Sequence, residues 1–196
     1  MIESDPSPIE EHDRRVELAK SGFAWLMYAL NLRNAAKQIR SKVEDGGYTL
    51  ALGELIGAEV DEYADLSFRM LGPMLMLYGM SVECLLKARH VALNPDFDPL
   101  AERGKWWNAH DLRDLANKTG CPLHTFNKEA LDTLDELSLA IQKGRYPIHS
   151  RDPRVGFRWG LFSEDVLDNI FTTLIVEVTC IVVPGSPAAD IAEKSG

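Results

Sequence analysis

Between Val16 and Val43 apolar residues recur at helical spacing, at Val16, Ala19, Phe23, Leu26 and Leu30, then at Ala36, Ile39 and Val43. That period predicts one long amphipathic helix, and no proline interrupts the run. Ser7-Pro8-Ile9-Glu10 marks its start, with a capping serine, a proline at the first helical position and a glutamate that can reach back to the cap. Glu44-Asp45-Gly46-Gly47 is expected to end it. Residues 48–58 fit either a helical turn or a stub of strand. A second helical region is expected from about Ala58 to Ala92, kinked or broken at Gly72-Pro73, where proline removes a backbone donor and crowds the preceding turn. Its later part, Met74 to Met80, is apolar on every side, the pattern of a helix buried at the centre of a bundle. Four of the six methionines fall at Met70, Met74, Met76 and Met80, where adaptable core packing is the expectation.

Asn94-Pro95 closes that region, and an irregular loop should follow as far as Trp107. Asn108 is expected to cap a short helix starting at Ala109 and ending at Gly120. Another helix should run from about Asn127 through Leu131, Leu134, Leu137 and Ile141, closed by Lys143-Gly144. The segment Val166–Val183 is rich in β-branched residues, yet its length and acidic start favour helix, and no other strand offers it a partner. The expected fold is therefore all-α: an antiparallel bundle of five to six helices with a long N-terminal helix. One domain is expected over residues 7–183, between a flexible start (1–6) and a flexible tail (184–196).

Composition narrows the function classes. The chain has 196 residues, 45% of them hydrophobic and 26% charged, with a formal charge of −9. Such a field disfavours wholesale coating of nucleic acid or anionic lipid. The most apolar stretch, Ile170–Val183, is too short to span a bilayer and carries Glu177 and three threonines, so no membrane association is expected. Cys84, Cys121 and Cys180 form no disulfide framework or metal knuckle, which suits a reducing, cytoplasmic setting. No metal-site spacing, phosphate-binding loop, nucleophile elbow or dinucleotide fingerprint occurs, so neither a metal nor a cofactor is expected.

Three clusters could carry chemistry. Glu83 and Lys87 stand one turn apart directly after the apolar stretch, where they form either an ordinary surface pair or a buried pair belonging to a site. His110 follows Trp106-Trp107, whose rings either stack on a base or fill a gap between helices. The segment 143–158, KGRYPIHSRDPRVGFR, sets Lys143, Arg145, Arg151, Arg154 and Arg158 against Asp152 alone, a local +4 on a body that carries −13. With Tyr146, His149 and Phe157 interleaved, it suits phosphate or single-stranded nucleic acid, or else ties a loop to the acidic body or a second subunit.

The order Glu83-x-x-Leu86-Lys87, then His110-Asp111-Leu112-x-x-Leu115, then Arg145-Tyr146-Pro147 resembles the HEPN superfamily over about residues 65–183. The resemblance implies an all-α bundle, a homodimer, and a role in toxin–antitoxin, defence or nucleotidyltransferase-associated systems, with an antitoxin or nucleotidyltransferase as a possible partner. It further implies a metal-independent ribonuclease signature, an arginine followed after four to six residues by a histidine, which falls on Arg145 and His149. There the histidine would move protons for attack by a ribose 2′-hydroxyl and the arginine would steady the developing charge. Here only three residues separate the two, and Pro147 breaks a regular helical presentation. The first expectation is thus a module that binds a partner protein, nucleotide or RNA through Glu83, Lys87, His110, Arg145, Tyr146, Arg151, Arg154 and Arg158. An endoribonuclease using Arg145 and His149 is the second, and a structural dimeric bundle without ligand the third.

Overall fold

The computed structural model describes residues 8–56, 70–99, 101–102, 105–108, 110–144 and 164–183. Among them are six α-helices and no strand: α1 (Pro8–Ala19), α2 (Gly22–Ile56), α3 (Leu71–Leu93), α4 (Leu112–Lys118), α5 (Lys128–Gly144) and α6 (Glu164–Val182). The all-α expectation holds. Short 3-10 turns at Trp106–Asn108 and Leu123–Thr125 precede α4 and α5.

The long N-terminal helix expected from one unbroken period is two helices. Lys20 N–H bonds back to the carbonyls of Val16 and Glu17, closing α1. The Ser21 hydroxyl then accepts from Ala24 N–H at 3.2 Å and opens α2. The Trp25 indole donates to the Ala19 carbonyl at 2.9 Å, satisfying a backbone acceptor that the break exposes. Tertiary packing places the break. At Gly22 the backbone passes so near α3 and α6 that a Cβ would stand 3.0 Å from the Ala88 carbonyl and 3.3 Å from Val182 Cγ2. Burial does not follow the apolar period across the break: Leu26, Ala29 and Ala36 are buried, whereas Phe23, which the period places on the inner face, is 56% exposed.

The far end of α2 also departs from expectation. The helix runs through Glu44-Asp45-Gly46-Gly47 to Ile56, so most of the ambiguous stretch is helical. Two helical glycines cost about 1 kcal/mol each, which weakens a helix without forbidding it. The expected start of the second helical region near Ala58 lies outside the described residues. The described helix α3 begins at Leu71, and Pro73 sits in its first turn, where a missing N–H costs nothing.

Helix α3 is the axis of the molecule and packs against α2, α4, α5 and α6. Residues 81–88 are buried without exception, so this stretch is enclosed on all sides. Contact with α5 is close at Gly79, where a Cβ would meet Ile141 Cγ1 at 2.8 Å and the Leu137 carbonyl at 3.0 Å. Leu134, Leu137 and Ile141 of α5 and Ile170, Phe171, Leu174 and Val178 of α6 complete one contiguous core with Leu75, Leu85 and Leu86. Of the four clustered methionines, Met74 is buried and Met70 exposed, with Met76 and Met80 half-buried. Arg89 fastens α3 to its neighbours: Nε donates to Glu177 Oε1 of α6 at 2.6 Å and another guanidinium N–H reaches the Thr119 carbonyl behind α4.

Helix α4 starts later than expected. Asp111, not Asn108, is the cap, accepting from Asp114 N–H at 2.9 Å, and Asn108 is taken up in the preceding 3-10 turn. Asn127 caps α5 by accepting from Ala130 N–H at 2.8 Å, as its position suggests. The β-branched final element is helical. A lone strand among helices would leave its ladder groups unpaired.

A buried charge cluster as candidate functional site

Glu83 and Lys87 lie in the enclosed part of α3, so their charges have left water and must find partners. The one-turn spacing supplies the first. Lys87 Nζ donates to Glu83 Oε1 at 2.6 Å, with the two side chains only 6% and 8% exposed. The second comes from across the fold, where His110 Nδ1 stands 3.0 Å from Glu83 Oε2. An ionised carboxylate only accepts, so Nδ1 carries a proton and donates. The ring is 23% exposed, the open edge of an otherwise closed cluster.

Two indoles enclose the lysine. Its ammonium lies 5.2 Å from the Trp25 ring centre and 5.3 Å from that of Trp107. Both lie within cation–π range, and that attraction strengthens as water is removed. The indoles meet edge to face at 6.0 Å, and Trp107 packs in turn on His90, Phe97 and Trp106. Burial, and then the neighbouring Arg89, hold the His90 imidazole below its usual value of 6.5, so a neutral ring stacks there. The paired tryptophans are therefore packing residues that, with Phe97, fasten the chain before α4 to His90 of α3.

The cluster joins three segments distant in sequence: α2 through Trp25, α3 through Glu83 and Lys87, and the chain before α4 through Trp107 and His110. Both carboxylate oxygens are engaged and the ammonium is boxed in, so the imidazole is the most exposed of the three polar groups. The adjacent thiol is not a nucleophile. Burial first, then Glu83 and against the pull of Lys87, pushes Cys84 up to about 12. Cys121 is likewise pushed up to about 12 by burial and Glu177, with Arg89 opposing. All three cysteines are free thiols. Among the described residues, no group of three His, Cys, Asp or Glu is placed to hold a metal ion, and no helix is long and apolar enough to cross a membrane.

Of the residues singled out in the sequence, Glu83, Lys87 and His110 come together. Arg145, Tyr146, His149, Arg151, Arg154 and Arg158 lie outside the described residues, and Lys143 belongs to the last turn of α5. Sequence reasoning missed Trp25. Its apolar neighbours mark an ordinary helix face, and only the meeting of α2 with α3 makes it one wall of a cation box. No family model, curated protein or solved structure matches this chain.

Proposed function

We propose that this chain is an HEPN-like module, an antiparallel bundle acting as a homodimer, that binds a phosphate-bearing ligand, RNA or nucleotide, through the basic segment 143–158. The observation that supports this reading is the meeting of Glu83, Lys87 and His110, three residues of the resemblance brought together from separate segments. Because Glu83 and Lys87 are committed to each other and to His110, the cluster organises the interior, and ligand capture falls to the arginines and aromatics of residues 143–158. A stress, defence or toxin–antitoxin setting follows from the same resemblance.

Fluorescence anisotropy with a labelled single-stranded RNA, run in chelator across a salt series, tests this. Binding should weaken steeply with salt, and the combined Arg151→Ala, Arg154→Ala and Arg158→Ala variant should lower both affinity and slope. A flat salt response, or full affinity in that variant, overturns it. Absence of RNA and nucleotide binding would instead turn attention to a protein partner. Cleavage of the RNA in chelator, lost in both Arg145→Ala and His149→Ala, would replace the binding reading with the ribonuclease.

A further inference from the structure

The elbow between α1 and α2 holds an open cleft of about 160 Å³, lined by Arg15, Leu18, Ala19, Trp25 and Tyr28. Its walls leave apolar surface in water, with Leu18 39% and Tyr28 55% exposed. Small-molecule sites run to about 300–1,000 Å³, so this cleft is on the scale of one side chain. The end of α6 lies at the same elbow. A Cβ on Gly22 would stand 3.3 Å from Val182 Cγ2. Gly22 opens α2, three positions after Ala19 and three before Trp25, and three helical residues span only about 5 Å. Helix α6 therefore delivers the chain that follows it beside the cleft. Val183 comes next, and Pro184 cannot extend the helix.

We infer that the cleft is the docking site of the chain's own C-terminal segment, residues 184–196, with the Ile191 side chain seated in it. That segment, PGSPAADIAEKSG, carries one large apolar residue, Ile191. Eight residues separate Ile191 from Val183, a reach of up to about 28 Å at ~3.5 Å per residue, ample to round the elbow. Charge agrees with the match. Asp190 and Glu193 flank the isoleucine, while Arg15 stands in the cleft wall and Lys20 is exposed in the turn. Arg15 also meets Glu11 in an exposed pair, and a guanidinium has five N–H donors to share. Tethering favours this occupant over a foreign one, because a short linker holds Ile191 at an effective concentration near millimolar. The segment 1–7 is placed less well. It joins at Pro8, about 17 Å back along α1 from Ala19, a span its Ile2 covers only when nearly straight. Docking of Ile191 covers Trp25, the indole that also walls in Lys87.

This contact is separate from ligand capture by residues 143–158 and does not depend on it. Disulfide trapping in the full chain, in a glutathione buffer, tests it. Cys180→Ser removes the one native thiol that is not buried, and Ala192→Cys places a thiol next to Ile191. These are combined in turn with Leu18→Cys on α1, Tyr28→Cys on α2 and Phe23→Cys. All three positions are exposed, and circular dichroism verifies that each variant folds. Phe23 adjoins Gly22, so the tether alone favours it, but it does not line the cleft and helical spacing turns it away from Trp25 and Tyr28. The Leu18 and Tyr28 pairs should close within one chain at least about tenfold more completely than the Phe23 pair, a preference of ~1.4 kcal/mol. Adding Ile191→Asp should erase that preference. Equal closure of all three pairs, closure of none, or a preference that survives Ile191→Asp overturns the inference. Disulfides that join two chains would overturn it in favour of exchange between copies.

Discussion

Glu83 and Asp168 each gather two basic side chains, and each ties together segments far apart in the chain. Glu83 holds Lys87 and His110; Asp168, on α6, holds Arg33 at 2.6 Å and Lys37 at 3.0 Å, both from α2. Their surroundings separate them. The Glu83 side chain is 8% exposed, that of Asp168 34%. At the Asp168 cluster water can replace a lost partner, and Arg33 also rests on the Phe171 ring at 4.3 Å. At Glu83 the carboxylate is almost wholly shut off from solvent, so it depends on Lys87 and His110 for its partners. Similar residues in similar geometry are thus a mild fastening at one place and a constraint on the whole interior at the other.

Lys87→Met is the strongest test of that contrast. It leaves the Glu83 carboxylate buried with a single partner and should cost about 3–5 kcal/mol, the loss typical of a broken buried pair. Urea denaturation reads it. Adding Glu83→Gln, which removes the stranded charge while keeping a bond to His110, should bring stability back towards wild type; a double variant no better than the single would mean the pair is not coupled. Next in size is His110→Ala, which deprives one carboxylate oxygen of its donor and should cost about 1–3 kcal/mol. At the other cluster, Arg33→Ala should cost about 1 kcal/mol or less by the same denaturation measurement. A loss there as large as that of Lys87→Met would erase the distinction between the two sites.

The smallest expected effect is a pH dependence. Burial pushes the Asp168 carboxyl up, but the hydrogen bonds and charges of Arg33 and Lys37 outweigh it and hold the group below its usual 3.8. A group depressed in the folded state stabilises above its unfolded value and loses that contribution as pH falls through the folded one. Stability should therefore decline on the acid side of pH 3.8, and Asp168→Asn should flatten that limb in acid titrations followed by circular dichroism.

How far the sequence speaks for the fold depends on whether local or distant contacts decide. The pattern Leu131, Leu134, Leu137, Ile141 is α5 itself, whereas the apolar stretch Met74–Met80 is buried only in part, with Met76, Leu77 and Met80 half-buried, and the enclosed part of α3 follows it at residues 81–88. Glu83 and Lys87 are informative because two charges follow an apolar run. The break at Lys20–Ser21 is not legible, since the apolar period continues in step across it and the cause is the approach of Gly22 to α3 and α6. Asn108 and Asp111 are both good caps. The aromatic packing of Trp106 and Trp107 on His90 and Phe97 accompanies the choice of the later one. The Lys87 box was half visible: spacing supplied Glu83, but the indoles came from segments that only the tertiary fold unites.

Trp25 belongs to two places at once. It bounds the box around Lys87 and also lines the cleft at the α1–α2 elbow. Whatever occupies the cleft therefore presses on the same ring that shelters the buried cation. By thermodynamic reciprocity, any influence of cleft filling on the ion pair is returned in equal measure by the ion pair on cleft filling. The indole is thus also an intrinsic optical probe, placed to register from a single position both what arrives at the surface and what changes beneath it.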